Sequence, residues 1–261
     1  MLIGLGGLSA GLSALDNDRP ATAVPIQAPD LTQCVDTTDP LVINCCPPIQ
    51  TSIPFQPPSS SSPIRLRPAA HLVGAYYISK YTRAVQLMKQ LPDSDPRNFM
   101  QQANVHCAYC NGAYEQFGIT PRTDIQVHAS WLFFPWHRLY IYFYERILGS
   151  LIGDDTFALP FWNFDAPDGM RMPSMYAANP ATSSIYDSLR DAHHQPPKLM
   201  DLNFNGTDPN IPIPDSQLIQ NNLSTMHRQV ANFLFFFGKR EVRAGMTMGS
   251  MSRALEVTPG L

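Results

Sequence analysis

Seven histidines punctuate the 261-residue chain, at positions 71, 106, 128, 137, 193, 194 and 227. Three of them, His106, His128 and His137, fall in an apolar, aromatic-rich stretch between residues 104 and 146. Neutral imidazole suits copper, zinc and iron, and three such ligands leave one coordination position open for a small molecule. His128 and His137 stand nine residues apart. On one continuous helix that is about two and a half turns, which sets the two rings on opposite faces. Pro135 is expected to break such a helix, so that His128 ends one segment, His137 opens the next, and both point into one cavity. Spacing alone serves a metal site and three core or surface histidines equally. The five cysteines, Cys34, Cys45, Cys46, Cys107 and Cys110, are odd in number, so at least one lies outside any intramolecular disulfide. Glu145, eight residues after His137 and on roughly the same helical side, either orients a ligand or pairs in solvent with Arg138 or Arg146.

The elements expected to carry these residues are mainly helical. A first helix is predicted over residues 68–91, where Leu72, Val73, Tyr76, Tyr77, Ala84, Val85, Met88 and Leu91 recur at three- and four-residue spacing before Pro92. Asp95 followed by Pro96 reads as an N-cap and first helical position. Residues 103–114 hold His106, Cys107 and Cys110, and a helix is predicted over 123–134. Residues 136–151 are apolar nearly all round, which predicts a buried helix. Residues 159–164 read as a short strand or an extended piece, 165–216 as loop, and 216–236 as a last helix. Phe233 to Phe237 read as core. Residues 16–70 read as irregular, because seven prolines fall between Pro47 and Pro68 and Ser59 to Ser62 form a serine run.

Composition narrows the function classes. With 18 Lys+Arg against 21 Asp+Glu, the chain lacks the basic field of a generic nucleic-acid or anionic-membrane binder. At 44% hydrophobic and 10% aromatic residues it can build a core, which excludes wholesale disorder. The apolar run 1–15 contains four glycines and is too short to span a bilayer. It reads either as the h-region of an export signal, with Ala21-Thr22-Ala23 as a cleavage site, or as a loose Gly-rich arm. No other segment reads as a membrane span. Asn205-Gly-Thr207 and Asn222-Leu-Ser224 match the glycosylation sequon, a short and frequent pattern.

The local wording is more specific than the spacing. His128-Ala-Ser-Trp-Leu-Phe-Phe-Pro-Trp-His137-Arg138-Leu-Tyr-Ile-Tyr-Phe-Tyr-Glu145 resembles the first copper-site signature of the tyrosinase and polyphenol oxidase family. Asn104-Val-His106-Cys107-Ala-Tyr-Cys110 resembles the plant branch, the catechol oxidases. Leu91-Pro-Asp-Ser-Asp-Pro-Arg-Asn-Phe99, Leu159-Pro-Phe-Trp-Asn-Phe164 and Asp201-Leu-Asn-Phe-Asn-Gly-Thr-Asp208 are similar to plant polyphenol oxidase segments, and the likeness runs over roughly residues 1–239.

The resemblance implies a mainly α, tyrosinase-like antiparallel helical bundle, here incomplete, with long irregular loops and a Pro-rich N-terminal arm. It implies that His106, His128 and His137 bind the first of two coppers. It also implies disulfides Cys34–Cys46 and Cys45–Cys107, and a thioether from Cys110 to His128. The implied reaction is oxidation of o-diphenols by dioxygen to o-quinones, with a small phenolic substrate and no nucleic-acid partner. The family's second copper needs a His-x-x-x-His pair, and this sequence has none. His193 and His194 resemble a family loop that binds no copper, and His227 stands where the family often has Tyr. From about Lys239 the sequence departs from the family pattern, which is read as truncation or a frameshift. The expected organisation is therefore a transfer-like segment at 1–23, the N-terminal part of a copper domain at 24–238, and a divergent tail at 239–261. The alternative is an inactive remnant that binds one copper or none. Residues 3–8 and 28–31 resemble the thylakoid-transfer segment of plastid polyphenol oxidases, implying a plastid, thylakoid-lumen location.

Overall fold

The structure, a computed structural model, describes residues 29–35, 45–51, 54–62, 64–116, 123–128, 130, 132–177, 183–191, 194–204 and 212–231. The expectations for residues 1–23 and 239–261, His193, the Asn205 sequon and Phe233 to Phe237 lie outside these residues. The described chain is mainly helical: α1 (Ala75–Gln90), α2 (Phe99–Cys110), α3 (Phe133–Leu151) and α4 (Asp215–Ala231). Among the described residues β structure is confined to isolated bridges, Ala69 with Phe161, Glu115 with Asp124, and Arg171 with Leu199. Helix α1 packs against both α2 and α3.

One face of α1, formed by Tyr81, Ala84, Val85 and Met88, is buried against Tyr144 and Leu148 of α3. Phe157, Met172, Met175 and Tyr176 close this core from the long connection after α3. The first helix begins later than expected. Residues Ala70–Leu72 form a separate 3-10 turn, which leaves Leu72 76% and Tyr76 78% exposed rather than in the core. At the other end Leu91 is extended, as the residue before Pro92 must be. Asp95 does not cap a helix; its carboxylate accepts from the backbone and guanidinium of Arg97. Asn98 caps α2 instead, accepting the Met100 N–H at 2.8 Å and donating to the Leu91 carbonyl at 2.6 Å.

The helix predicted over 123–134 does not form at 123–128, and among the described residues of that span only Phe133 and Phe134 are helical, as the start of α3. Residues 123–128 are extended and pair with the turn after α2, Gln116 N–H donating to Thr123 O and Ile125 N–H to Tyr114 O, both at 2.8 Å. The reason is a period of two: Ile125 and Val127 are buried while Asp124 and Gln126 face outward. Gly112 makes the return possible with φ of 68°, and a Cβ there would lie 3.1 Å from the Asp124 Cβ. Pro135 does not break a helix either. It is the third residue of α3, where a missing N–H costs nothing because the first turn's N–H groups have no intrahelical acceptor.

Helix α3 is not buried all round: Leu139 is 48% and Phe143 41% exposed. Phe55, from the Pro-rich arm, packs edge-on against Tyr142 and Phe143 with ring centroids 5.9 and 5.2 Å apart. Glu145 is buried rather than solvated, and neither Arg138 nor Arg146 is its partner. It accepts from Arg67 Nε at 3.0 Å and from the Leu159 N–H at 2.8 Å, joining the arm, α3 and the extended 159–164 segment. Asn222 is 1% exposed; its side chain donates to Met200 O at 2.6 Å and accepts the Leu202 N–H at 3.1 Å. That sequon is closed to a glycan in the folded chain.

Candidate metal centre

The three histidines come from three different elements. His106 lies on α2, one turn before Cys110, His128 ends the extended 123–128 segment, and His137 is in the second turn of α3. The period-two burial of Ile125 and Val127 sets the segment against α2, where the Val127 N–H donates to the Tyr109 carbonyl at 3.3 Å. The three rings converge. His137 Nε2 lies 3.2 Å from His106 Nε2 and 3.2 Å from His128 Nε2. Cys110 Sγ lies 3.5 Å from His106 Nε2 and 3.7 Å from His128 Nε2. Ligand atoms of His106, Cys110 and His128 fall within 4.8 Å of one another. His137 Nε2, 3.2 Å from both histidine rings, adjoins this group.

The tautomer of His137 follows from its position on the helix. Its Nδ1–H donates to the Phe133 carbonyl one turn back at 2.6 Å, which leaves the Nε2 lone pair directed at the other two rings. Burial pushes this imidazole below its ordinary value of 6.5, against the opposing pull of the Phe133 bond, so it is neutral at physiological pH. Two ring nitrogens 3.2 Å apart subtend about 105° at an ion about 2.0 Å from each, close to the angle four-coordinate sites adopt. The donor set and the spacing of His137 to His106 and to His128 therefore suit a first-row ion held by imidazole nitrogens.

Aromatic rings wall the centre. Trp136 stacks on Tyr140 with centroids 5.2 Å apart, and both face the His106 ring. Phe133 lies 4.6 Å from the His137 ring and 5.8 Å from that of His128. Burial raises the Tyr140 hydroxyl well above its ordinary range, and it donates to the Gln102 carbonyl at 2.7 Å. It is a structural donor, not a phenolate that competes for a metal.

The cysteines divide as donors and ties. Cys34 is bonded to Cys46 and Cys45 to Cys107, with Cα atoms 5.7 and 5.5 Å apart, while Cys110 stands outside both bonds and beside the histidines. Cys107 follows His106 directly, so the second disulfide fastens the arm to the helix that carries a candidate ligand. Of the other histidines, His71 lies in the 3-10 turn before α1, His194 packs on Phe204, and His227 is exposed on α4. Reasoning from residue types missed Gln126 and Ser130, which bond the loop between α2 and α3; the alternation around Val127 was the available signal.

Residues 96–245 match the family model described as the common central domain of tyrosinase. The chain belongs to the tyrosinase family. All three converging histidines lie inside the matched region. The chain is 53% identical over 237 residues to a chloroplastic polyphenol oxidase of Vitis vinifera, covering 89% of this chain and 38% of that one. It is 48% identical over 267 residues to a chloroplastic polyphenol oxidase of Malus domestica, covering 99% and 44%. The crystal structure of Grenache (Vitis vinifera) polyphenol oxidase superposes with a TM-score of 0.74 at 51% identity, over 86% of this chain and 67% of that one. This tyrosinase-family chain thus spans well under half the length of these two curated relatives.

Proposed function

We propose that His106, His128 and His137 hold one copper ion through their Nε2 atoms, and that the centre serves the oxidation of o-diphenols by dioxygen to o-quinones. The convergence of three Nε2 atoms in a family of phenol-oxidising relatives carries this reading. Each o-diphenol gives up two electrons and two protons, so two of them reduce one dioxygen to two waters. Bound copper supplies the one-electron redox chemistry, with two ions acting together in the family. The chain's own contribution is positional. The Phe133 carbonyl holds the His137 tautomer, and Trp136, Phe133 and Tyr140 exclude water on one side of the rings.

A thioether between Cys110 Sγ and a His128 ring carbon belongs to the same proposal, supported by the 3.7 Å from Sγ to the ring's Nε2. Forming it removes one hydrogen from the thiol and one from the ring, and dioxygen accepts both, with their electrons, as hydrogen peroxide. Residues 24–238 are proposed as the copper-domain part of the chain and 239–261 as a divergent tail. A plastid location, in the thylakoid lumen, is proposed from relatives whose names call them chloroplastic. The two disulfides suit a compartment less reducing than the stroma.

One observation favours a second reading, in which these 261 residues bind one copper and do not turn over: they contain no His-x-x-x-His pair. Copper per chain, measured by elemental analysis beside catechol oxidation, separates the two. One copper with no turnover supports the second reading. Two coppers with robust turnover refute it, and no copper at all refutes the three-histidine site.

A further inference from the structure

One side chain, that of Gln126, bridges the backbone at His128 to the end of α2. The C-terminal carbonyls of a helix lack intrahelical donors, and at the end of α2 the Gln126 Nε2–H donates to the Cys110 carbonyl at 2.5 Å. The Oε1 of the same amide accepts the His128 N–H at 2.8 Å. The Gln126 carbonyl in turn accepts the Ser130 hydroxyl at 2.8 Å, while Ser130 Oγ accepts the Leu132 N–H at 3.2 Å, just before α3. A continuous path of hydrogen bonds therefore runs from the Cys110 end of α2 to the start of α3, with His128 bonded to its midpoint. Ile125 and Val127 bury their side chains on either side. Gln126 itself faces outward and places both functions of its amide on neighbouring backbone.

We propose that Gln126 is the positioning residue of this centre: its amide sets the height of the His128 ring against Cys110 Sγ and the His106–His137 pair. The inference rests on the copper reading above. Because Gln126 is exposed, water replaces its bonds at small cost to folding. What its loss changes is the placement of one ligand, and outer partners of ligands tune affinity about 10- to 100-fold.

The test uses the full chain with Cu(II) alone as the probe, titrated against a competing chelator, with the electron paramagnetic resonance spectrum recorded for each variant. Gln126→Met removes both bonds and is expected to weaken Cu(II) binding about 10- to 100-fold. Its copper hyperfine splitting should shift, while the melting temperature of the metal-free chain stays within about 3 °C of wild type. Gln126→Glu keeps the acceptor for the His128 N–H and loses the donor to Cys110, so its affinity should fall between the two. Ser184→Ala, which removes a bond to the Thr82 carbonyl away from the centre, should leave affinity and spectrum unchanged. Wild-type affinity and spectrum in Gln126→Met overturn the proposal, as does an equal loss in Ser184→Ala. If Gln126→Met does not fold, Gln126→Glu decides: weaker binding sustains the proposal and wild-type binding overturns it. Wild-type chain that binds no Cu(II) overturns the copper reading itself, and this inference with it.

Discussion

His106 and His137, 31 residues apart on different helices, bring their Nε2 atoms within 3.2 Å of each other. The two imidazoles meet nitrogen to nitrogen, and His128 completes the same convergence from a third element. On the proposed copper reading, replacing His106 or His137 should remove metal affinity without removing the fold. His137→Ala is expected to weaken Cu(II) binding at least about 100-fold, read by chelator competition, with the helical circular-dichroism signal retained.

The pH dependence follows from the same ring. Burial depresses the His137 value below 6.5, so above that pH the folded and unfolded chains are both neutral here. As pH falls through 6.5 the unfolded chain binds the proton first, so stability is complete above 6.5 and declines as pH approaches the depressed folded value. Metal-free wild type should show this decline in urea midpoints, and His137→Ala should lose that component. Proton competition for Nε2 acts in the same direction, and Cu(II) should dissociate on acidification.

Glu145 predicts a stability effect separate from metal binding. Its carboxylate accepts from Arg67 and from the Leu159 N–H, and Arg67's side chain is 41% exposed, so the loss falls mainly on the buried backbone donor. Glu145→Ala should cost about 2 kcal/mol in chemical denaturation and leave copper stoichiometry unchanged. Loss of copper without loss of stability would instead make Glu145 part of the centre.

The Cys45–Cys107 disulfide closes a span of 62 residues, which in the chain-entropy account contributes about 4 kcal/mol. Cys107→Ser should lower the denaturant midpoint accordingly. Cys34→Ser, which opens a span of 12, should cost about 3 kcal/mol.

Two leucines on α3 test its orientation. Leu148 is 0% exposed, and Leu148→Ala should destabilise by about 3 kcal/mol. Leu139 is 48% exposed, and Leu139→Ala should stay within about 0.5 kcal/mol. Equal effects would mean that the outer face of α3 is covered.

Much of this centre is legible from order along the chain. The wording around His128 and His137 points to the family and to three imidazoles, because ligand chemistry is a property of side-chain type. Helix existence is legible too: apolar residues at three- and four-residue spacing place α1 and α3, since one face of each must leave water. Three features depended on tertiary context. Pro135 forbids a helix through its own amide only where that amide would be bonded, and in the first turn of α3 it is not. Residues 123–128 carry an alternation as strong as their helical pattern, and the pairing with Tyr114 and Gln116 decides between them. Glu145 reads as an exposed charge until Arg67, 78 residues earlier, folds against it. The sequence by itself determines which atoms can bind a metal and which faces are apolar. Only the tertiary structure decides that three Nε2 atoms from α2, an extended segment and α3 share one point, because that depends on hydrogen bonds between residues far apart along the chain.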